Sequence, residues 1–155
     1  MSDNLNKYIR ESHRNLLVVE DSDTDFEVLT RVLKKLSFSY PIHRCCDGDE
    51  ALDYLYHREN YQDILMYPQP DLVLLDLNLP GTDGKDILEE IKQNDQLKSI
   101  PIIIFSTSSN PQDIKACYQK GANNYLLKPM DFTAMKITVE SLIKYWFEIS
   151  LLPTI

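Results

Sequence analysis

Asp71-Leu72-Val73-Leu74-Leu75-Asp76, followed by Leu77-Asn78-Leu79-Pro80-Gly81, decides the fold. A short unbroken apolar run that ends on an acid and is then stopped by Pro-Gly suits a strand buried on both faces. Two more such runs flank it. Leu16-Leu17-Val18-Val19 ends on Glu20-Asp21-Ser22-Asp23, and Pro101–Phe105 ends on Ser106-Thr107-Ser108-Ser109. Ile42–Cys46 reads as an edge strand, and Asn124–Leu127 as a short strand cut off by Lys128-Pro129. Helical patterns fill the intervals. Phe26, Leu29, Leu33 and Leu36 recur at helical spacing after Ser22; a second helix opens near Gly48 and ends around Tyr56. Lys85–Asn94 is a third helix through Ile87, Leu88 and Ile91, and Pro111–Lys120 a fourth, ended by Gly121. The last runs from about Asp131 to Ile149, while Arg58–Pro70 reads as a loop. Strands alternating with helices predict an α/β protein, a parallel sheet covered on both faces in three layers.

The bulk numbers agree. At 155 residues, 43% hydrophobic and 26% charged, the chain is expected to make one domain. Residues 1–14 read as a flexible lead, 15–147 as the domain, and 148–155 as an extension available for a dimer contact. The net charge of −8 would repel phosphate backbones, which argues against nucleic-acid binding. Apolar runs such as Ile100–Phe105 fall far short of the ~20 residues that span a bilayer. Three cysteines without a C-x-x-C, and a polar start without a signal region, predict a reduced cytoplasmic protein with no membrane partner.

A parallel sheet brings its strand ends to one edge. Glu20, Asp21, Asp76, Ser106 and Lys128 would then share a small pocket at the carboxyl edge, where such folds bind ligands. Two like charges ~4 Å apart cost about 4 kcal/mol at an effective dielectric of 20. Crowded carboxylates therefore call for a proton or a cation, and oxygen ligands in a wet, shallow site favour Mg²⁺. Lys128 and Ser106 complete an anion receptor suited to a phosphoryl group. Asp76 is the expected attacking residue, since aspartyl-phosphate is a known covalent form. Glu20 and Asp21 would hold the metal, together with Asp76 and the main-chain carbonyl of Asn78.

These segments resemble the receiver domains of two-component response regulators: Leu16–Asp21 with its acidic pair, Pro70–Gly81 around Asp76, Pro101–Thr107 with Ser106, and Tyr125–Pro129 with Lys128. The resemblance covers about Asn15 to Phe147. It implies a flavodoxin-like fold with strand order 2-1-3-4-5, a histidine-kinase donor, a hydroxyl switch at Ser106, an inward-turning aromatic at Tyr125 and a cis Lys128–Pro129 peptide. It also implies that the face made by the fourth helix, fifth strand and fifth helix changes shape on phosphorylation. Two features depart from the usual pattern. Thr107 stands where a small residue is usual, and Arg58–Pro70 is longer than in minimal receivers. That insertion and the aromatic Tyr145-Trp146-Phe147-Glu148-Ile149 resemble the single-domain regulators that partner cyanobacterial phytochromes. The expected function is a stand-alone response regulator, a signalling protein and not an enzyme, that acts on an unidentified downstream protein. An Asp-nucleophile phosphatase is disfavoured because Asn78 stands where a general acid would. A receiver-like module that no longer phosphorylates is the other alternative.

The remaining residues read more plainly. His13, His43 and His57 are scattered and are expected in solvated or strand positions. Cys45 and Cys46 should point to opposite sides of their strand. On the first helix, Val28 and Val32 belong to a kinase-docking surface or to the core. On the last helix, Met135, Val139, Leu142, Ile143 and Trp146 form the buried stripe. Tyr145, Phe147, Ile149, Leu151 and Leu152 exceed that stripe and predict an interface, here a homodimer through the face of the fourth helix, fifth strand and fifth helix together with the C-terminal extension.

Overall fold

A computed structural model describes residues 14–153. The expected lead falls almost wholly outside them. The main sheet contains β1 (Leu16–Val19), β2 (Ile42–Cys45), β3 (Leu72–Leu75), β4 (Ile102–Ser106) and β5 (Asn124–Leu127). Its helices are α1 (Asp23–Lys35), α2 (Gly48–Leu55), α3 (Gly84–Gln93), α4 (Pro111–Gln119) and α5 (Phe132–Ile143). All sheet pairings are parallel, in the order β2-β1-β3-β4-β5 that the resemblance implies. In register, Val19 lies opposite both Cys45 and Leu75, so β1 and β3 end side by side.

Side-chain alternation along the strands builds two cores. Leu17, Val19, Val73, Leu75, Ile102 and Ile104 pack with α2 and α3 on one face. Leu16, Val18, Leu72, Leu74, Ile103 and Phe105 pack with α1 and α5 on the other. Val32 is fully buried in that second core, which settles it as packing. Each helix starts on a side-chain cap: Ser22, Asp47, Asp83, Asn110 and Asp131 accept from main-chain N–H groups of the first turn. Cys45 is buried and Cys46 exposed, as strand alternation requires.

Four local features differ from the expectations. First, the segment after Asp76 is not a simple break: Asn78–Leu79 pairs antiparallel with Thr82–Asp83 across a turn in which Gly81 has φ 71°. Second, residues 58–70 are ordered by aromatic packing. Tyr61 and Tyr67 pack edge-on at 4.9 Å, and both lie against the buried Tyr54. Third, the Lys128–Pro129 peptide is trans, since no cis bond occurs among the described residues; trans is the intrinsically favoured form even before proline.

Fourth, the last helix does not run uniformly to Ile149. After Ile143 the chain widens into a π-turn over Lys144–Ile149, closed by Ser150 N–H donating to the Tyr145 carbonyl at 2.8 Å. Phe147 lies four residues after the buried Ile143 and so continues the buried face. Phe147 is 4% exposed and stacks on Tyr40 at 5.5 Å with Phe38 at 5.2 Å. Its placement among the surplus interface residues is therefore corrected. Tyr145, Ile149 and Leu151 do remain exposed.

Candidate functional site at the carboxyl edge

Four of the five strands of the main sheet end on a polar group, where the apolar run stops. Glu20 follows β1, Asp76 follows β3, Ser106 closes β4 and Lys128 follows β5. All four are buried, and Glu20, Asp76 and Lys128 are the only charged side chains that are so among the described residues. Burying an unpaired charge costs several kcal/mol, so such groups must find partners.

They find each other. The Lys128 ammonium donates to Glu20 Oε2 at 2.5 Å, Asp76 Oδ2 at 2.8 Å and Asp25 Oδ2 at 3.0 Å. The second oxygens of the two buried acids are held by main-chain donors. Ser22 N–H donates to Glu20 Oε1 and Asn78 N–H to Asp76 Oδ1, each at 3.1 Å. The Asp76 carboxylate is thus clamped between its own loop and the lysine. Gly84 brings the start of α3 against this loop: a Cβ there would stand 2.5 Å from the Asp76 carbonyl oxygen.

The electrostatics follow from burial. Desolvation raises the Glu20 carboxyl from an ordinary 4.5 to about 7, with the Asp76 charge adding to the rise and Lys128 opposing it. Burial also works against the Lys128 charge, but hydrogen bonds to Asp76, Glu20 and Asp25 outweigh it and hold the ammonium well above its usual range.

Glu20, Asp76 and Lys128 are brought together, as the sequence predicts. Ser106 lies fully buried at the end of β4, its Oγ accepting from Ser108 N–H at 3.2 Å. Tyr125 is half-buried and donates to the Ser108 carbonyl at 2.7 Å. Asn78 is exposed, and Thr107 is exposed beside Ser106. Asp21 is exposed at the same strand end, and its carboxylate does not join the acidic group. Successive side chains at a strand end point opposite ways, so burying Glu20 turns Asp21 outward.

Asp25 is the residue that sequence reasoning missed. It sits in the first turn of α1, where an acid reads as a complement to the helix N-terminus. Its spacing from Ser22 was the available signal, since one turn of helix carries it back over the strand end. Carboxylate oxygens of Glu20, Asp25 and Asp76 lie within 4.8 Å of one another. An all-oxygen set of this kind fits a hard divalent cation.

Comparison with known proteins agrees with this geometry. The family model described as response regulator receiver domain matches residues 16–140. The response regulator Rcp1 of Synechocystis sp. is 37% identical over 138 residues, covering 89% of this chain and 92% of its own. FilR2 of Methanothrix harundinacea, named a probable methanogenesis regulatory protein, is 37% identical over 131 residues, covering 84% and 82%. The crystal structure of Mn²⁺-bound Rcp1 superposes with a TM-score of 0.83 at 36% identity, covering 91% of this chain and 99% of that one. That of the phosphorylated cyanobacterial phytochrome response regulator RcpA gives 0.85 at 33% identity, covering 92% and 99%. With the sheet order, the strand-end acids and these matches in hand, the chain belongs to the response regulator receiver domain family.

Proposed function

We propose that this chain works as a stand-alone response regulator that accepts a phosphoryl group on Asp76 from a histidine kinase of the phytochrome type. The observation that carries this reading is the Lys128 ammonium within 3.0 Å of three carboxylates, with Asp76 held on both oxygens. In the transfer, the P–N bond of the kinase phosphohistidine breaks as a carboxylate oxygen of Asp76 forms the new P–O bond. The departing imidazole nitrogen takes up a proton. Phosphoryl transfer asks mainly for positioning and charge neutralisation. Lys128 supplies a fixed positive charge beside the acceptor oxygen, and Ser106 a hydroxyl donor.

Glu20, Asp76 and the main-chain carbonyl of Asn78 are the proposed holders of Mg²⁺, with Asp25 as a further carboxylate in reach; Asp21, exposed at the same strand end, would turn in to join them. The bound ion would neutralise charge on the phosphoryl oxygens. Phosphorylation adds about −1.5 to −2 charges, enough to redirect Lys128 and Ser106. Ser106 and Tyr125 then carry the change to the α4–β5–α5 face. Tyr118, Leu127, Met130 and Ile137 are exposed apolar side chains on or beside those elements, and Tyr145, Ile149 and Leu151 extend the set. This surface suits a homodimer and a downstream protein.

In this reading, residues 15–147 are the receiver and 148–155 the dimer-contact extension of a cytoplasmic signalling protein. Among the described residues, no helix is long and apolar enough to cross a membrane. Phosphotransfer profiling against candidate kinases tests the proposal. Acid-labile label is expected on the wild type from a phytochrome-type kinase and not on Asp76→Asn; equal label on both would overturn the acceptor assignment.

A further inference from the structure

Arg44 lies near the end of β2, opposite Val18, on the side of the sheet that α1 covers. Its guanidinium grips the turn that carries the acids. The Nε–H donates to the Glu20 carbonyl at 3.0 Å, and one terminal nitrogen pairs with Asp23 Oδ1 at 2.8 Å. The same guanidinium lies over the Phe26 ring, 4.8 Å from its centroid. The ladder between β1 and β2 extends as far as the Glu20 N–H, which donates to the Cys45 carbonyl at 3.0 Å. Among the described residues no main-chain N–H reaches the Glu20 carbonyl, so Arg44 supplies its partner. The other terminal nitrogen is buried without a partner. An arginine kept only for solubility would hold that nitrogen in water, because a buried donor left unpaired costs free energy. One side chain from β2 thus fixes both ends of the Glu20–Asp23 turn. Glu20 and Asp21 project from that turn, and α1 starts from it with Asp25 in its first turn.

We propose that Arg44 is a positioning residue for the divalent cation, holding the Glu20–Asp23 turn so that its carboxylates are in place before the ion arrives. The inference rests on the reading of the acidic group at the carboxyl edge as the holder of that cation. Two effects of the arginine oppose each other, and the sign of the change tells them apart. Arg44 carries a positive charge close to Glu20 and Asp23, so removing the charge alone would tighten cation binding. That gain is small. The charge is already paired with Asp23, whose side chain is 92% exposed, and salt screens what is left. Freeing the turn matters more. The bond to the Glu20 carbonyl has a charged donor, and ligands that must be ordered on binding lower affinity. Removing Arg44 therefore weakens cation binding even though it removes a repulsion.

The test titrates Mn²⁺ into the full chain, with the free ion counted by electron paramagnetic resonance. Arg44→Met is expected to bind Mn²⁺ about three- to tenfold more weakly than the wild type. Arg44→Lys keeps the charge but replaces the planar fork by a single point donor, and should also bind more weakly, by at least about twofold. Unchanged or tighter binding in Arg44→Met overturns the inference, as does wild-type affinity in Arg44→Lys. A second readout needs no metal. The Ser22 amide, which donates to Glu20 Oε1, should exchange its hydrogen faster in both variants, while the Asn78 amide, which donates to Asp76 Oδ1, should keep its wild-type rate. Unchanged Ser22 exchange overturns the inference; so does an equal rise at both amides, which marks a general loss of stability. Should Arg44→Met fail to fold, Arg44→Lys carries both readouts. If the wild type binds no Mn²⁺, the cation reading fails, and the two amide rates still decide whether Arg44 holds the turn.

Discussion

Replacing Lys128 by methionine removes the ammonium shared by Glu20, Asp25 and Asp76 while keeping most of the side-chain volume. Two of those carboxylates are buried, at 5% and 7% exposure, so water cannot take the place of the lost partner. Opposite charges ~4 Å apart attract by about 4 kcal/mol at an effective dielectric of 20, and the three contacts here are shorter. Desolvation of the lysine offsets part of this. Breaking a buried pair by deleting one partner costs about 3–5 kcal/mol overall. The loss should depend on pH, because Glu20 can escape by taking a proton. Its folded-state pKa is already raised to about 7 by burial, and losing Lys128 raises it further. A raised carboxyl pKa gives a penalty that is absent below the unfolded value, grows as pH rises, and is complete above the folded value. Urea unfolding of wild type and Lys128→Met, followed by Trp146 fluorescence at about pH 8 and about pH 5, measures both effects. We expect a destabilisation of about 3–5 kcal/mol at the higher pH and clearly less at the lower. A loss under about 1 kcal/mol, or one that does not change with pH, would refute this account of how the acids are held.

Three further outcomes are expected. Glu20→Gln should flatten the stability profile: the raised Glu20 carboxyl should cost the wild type stability as pH rises from 4.5 to about 7, and the variant should lose less; parallel urea titrations across that window check it. Gly84→Ala should displace the Asp76 main chain, since the new Cβ would stand 2.5 Å from the Asp76 carbonyl oxygen and 2.7 Å from Leu77 Cα; beryllofluoride affinity should fall at least tenfold, about 1.4 kcal/mol, while helix content by circular dichroism stays near wild type. Phe147→Ala should cost about 3–5 kcal/mol in urea unfolding, where a solvent-exposed aromatic would cost almost nothing.

The sequence carried the fold because three of its strands are buried on both faces. Runs such as Leu72–Leu75 and Ile102–Phe105 have no helical reading of comparable length, and turn residues fence each one. The strand-end groups were legible for the same reason: a polar residue directly after such a run has only the carboxyl edge to occupy. Asp25 was overlooked because an acid in the first turn of a helix already has an ordinary reading as a complement to the helix N-terminus. Phe147 was legible, four residues after Ile143 on the same helical face, but the stripe read from the sequence ended at Trp146. The Asn78–Leu79 ladder with Thr82–Asp83 was missed because two-residue strands leave no alternation to read. The aromatic packing within residues 58–70 joins residues from α2 and the loop, so its order is tertiary in origin.

The central claim is that Asp76 carries the phosphoryl group. Intact-mass measurement of the chain after incubation with a small phosphodonor and Mg²⁺ tests it most directly, with hydroxylamine treatment to identify an acyl phosphate. One added phosphoryl group on the wild type, removed by hydroxylamine and missing from Asp76→Asn, is the predicted result. The same gain on Asp76→Asn, or none on the wild type under conditions where it binds the phosphodonor, would contradict it.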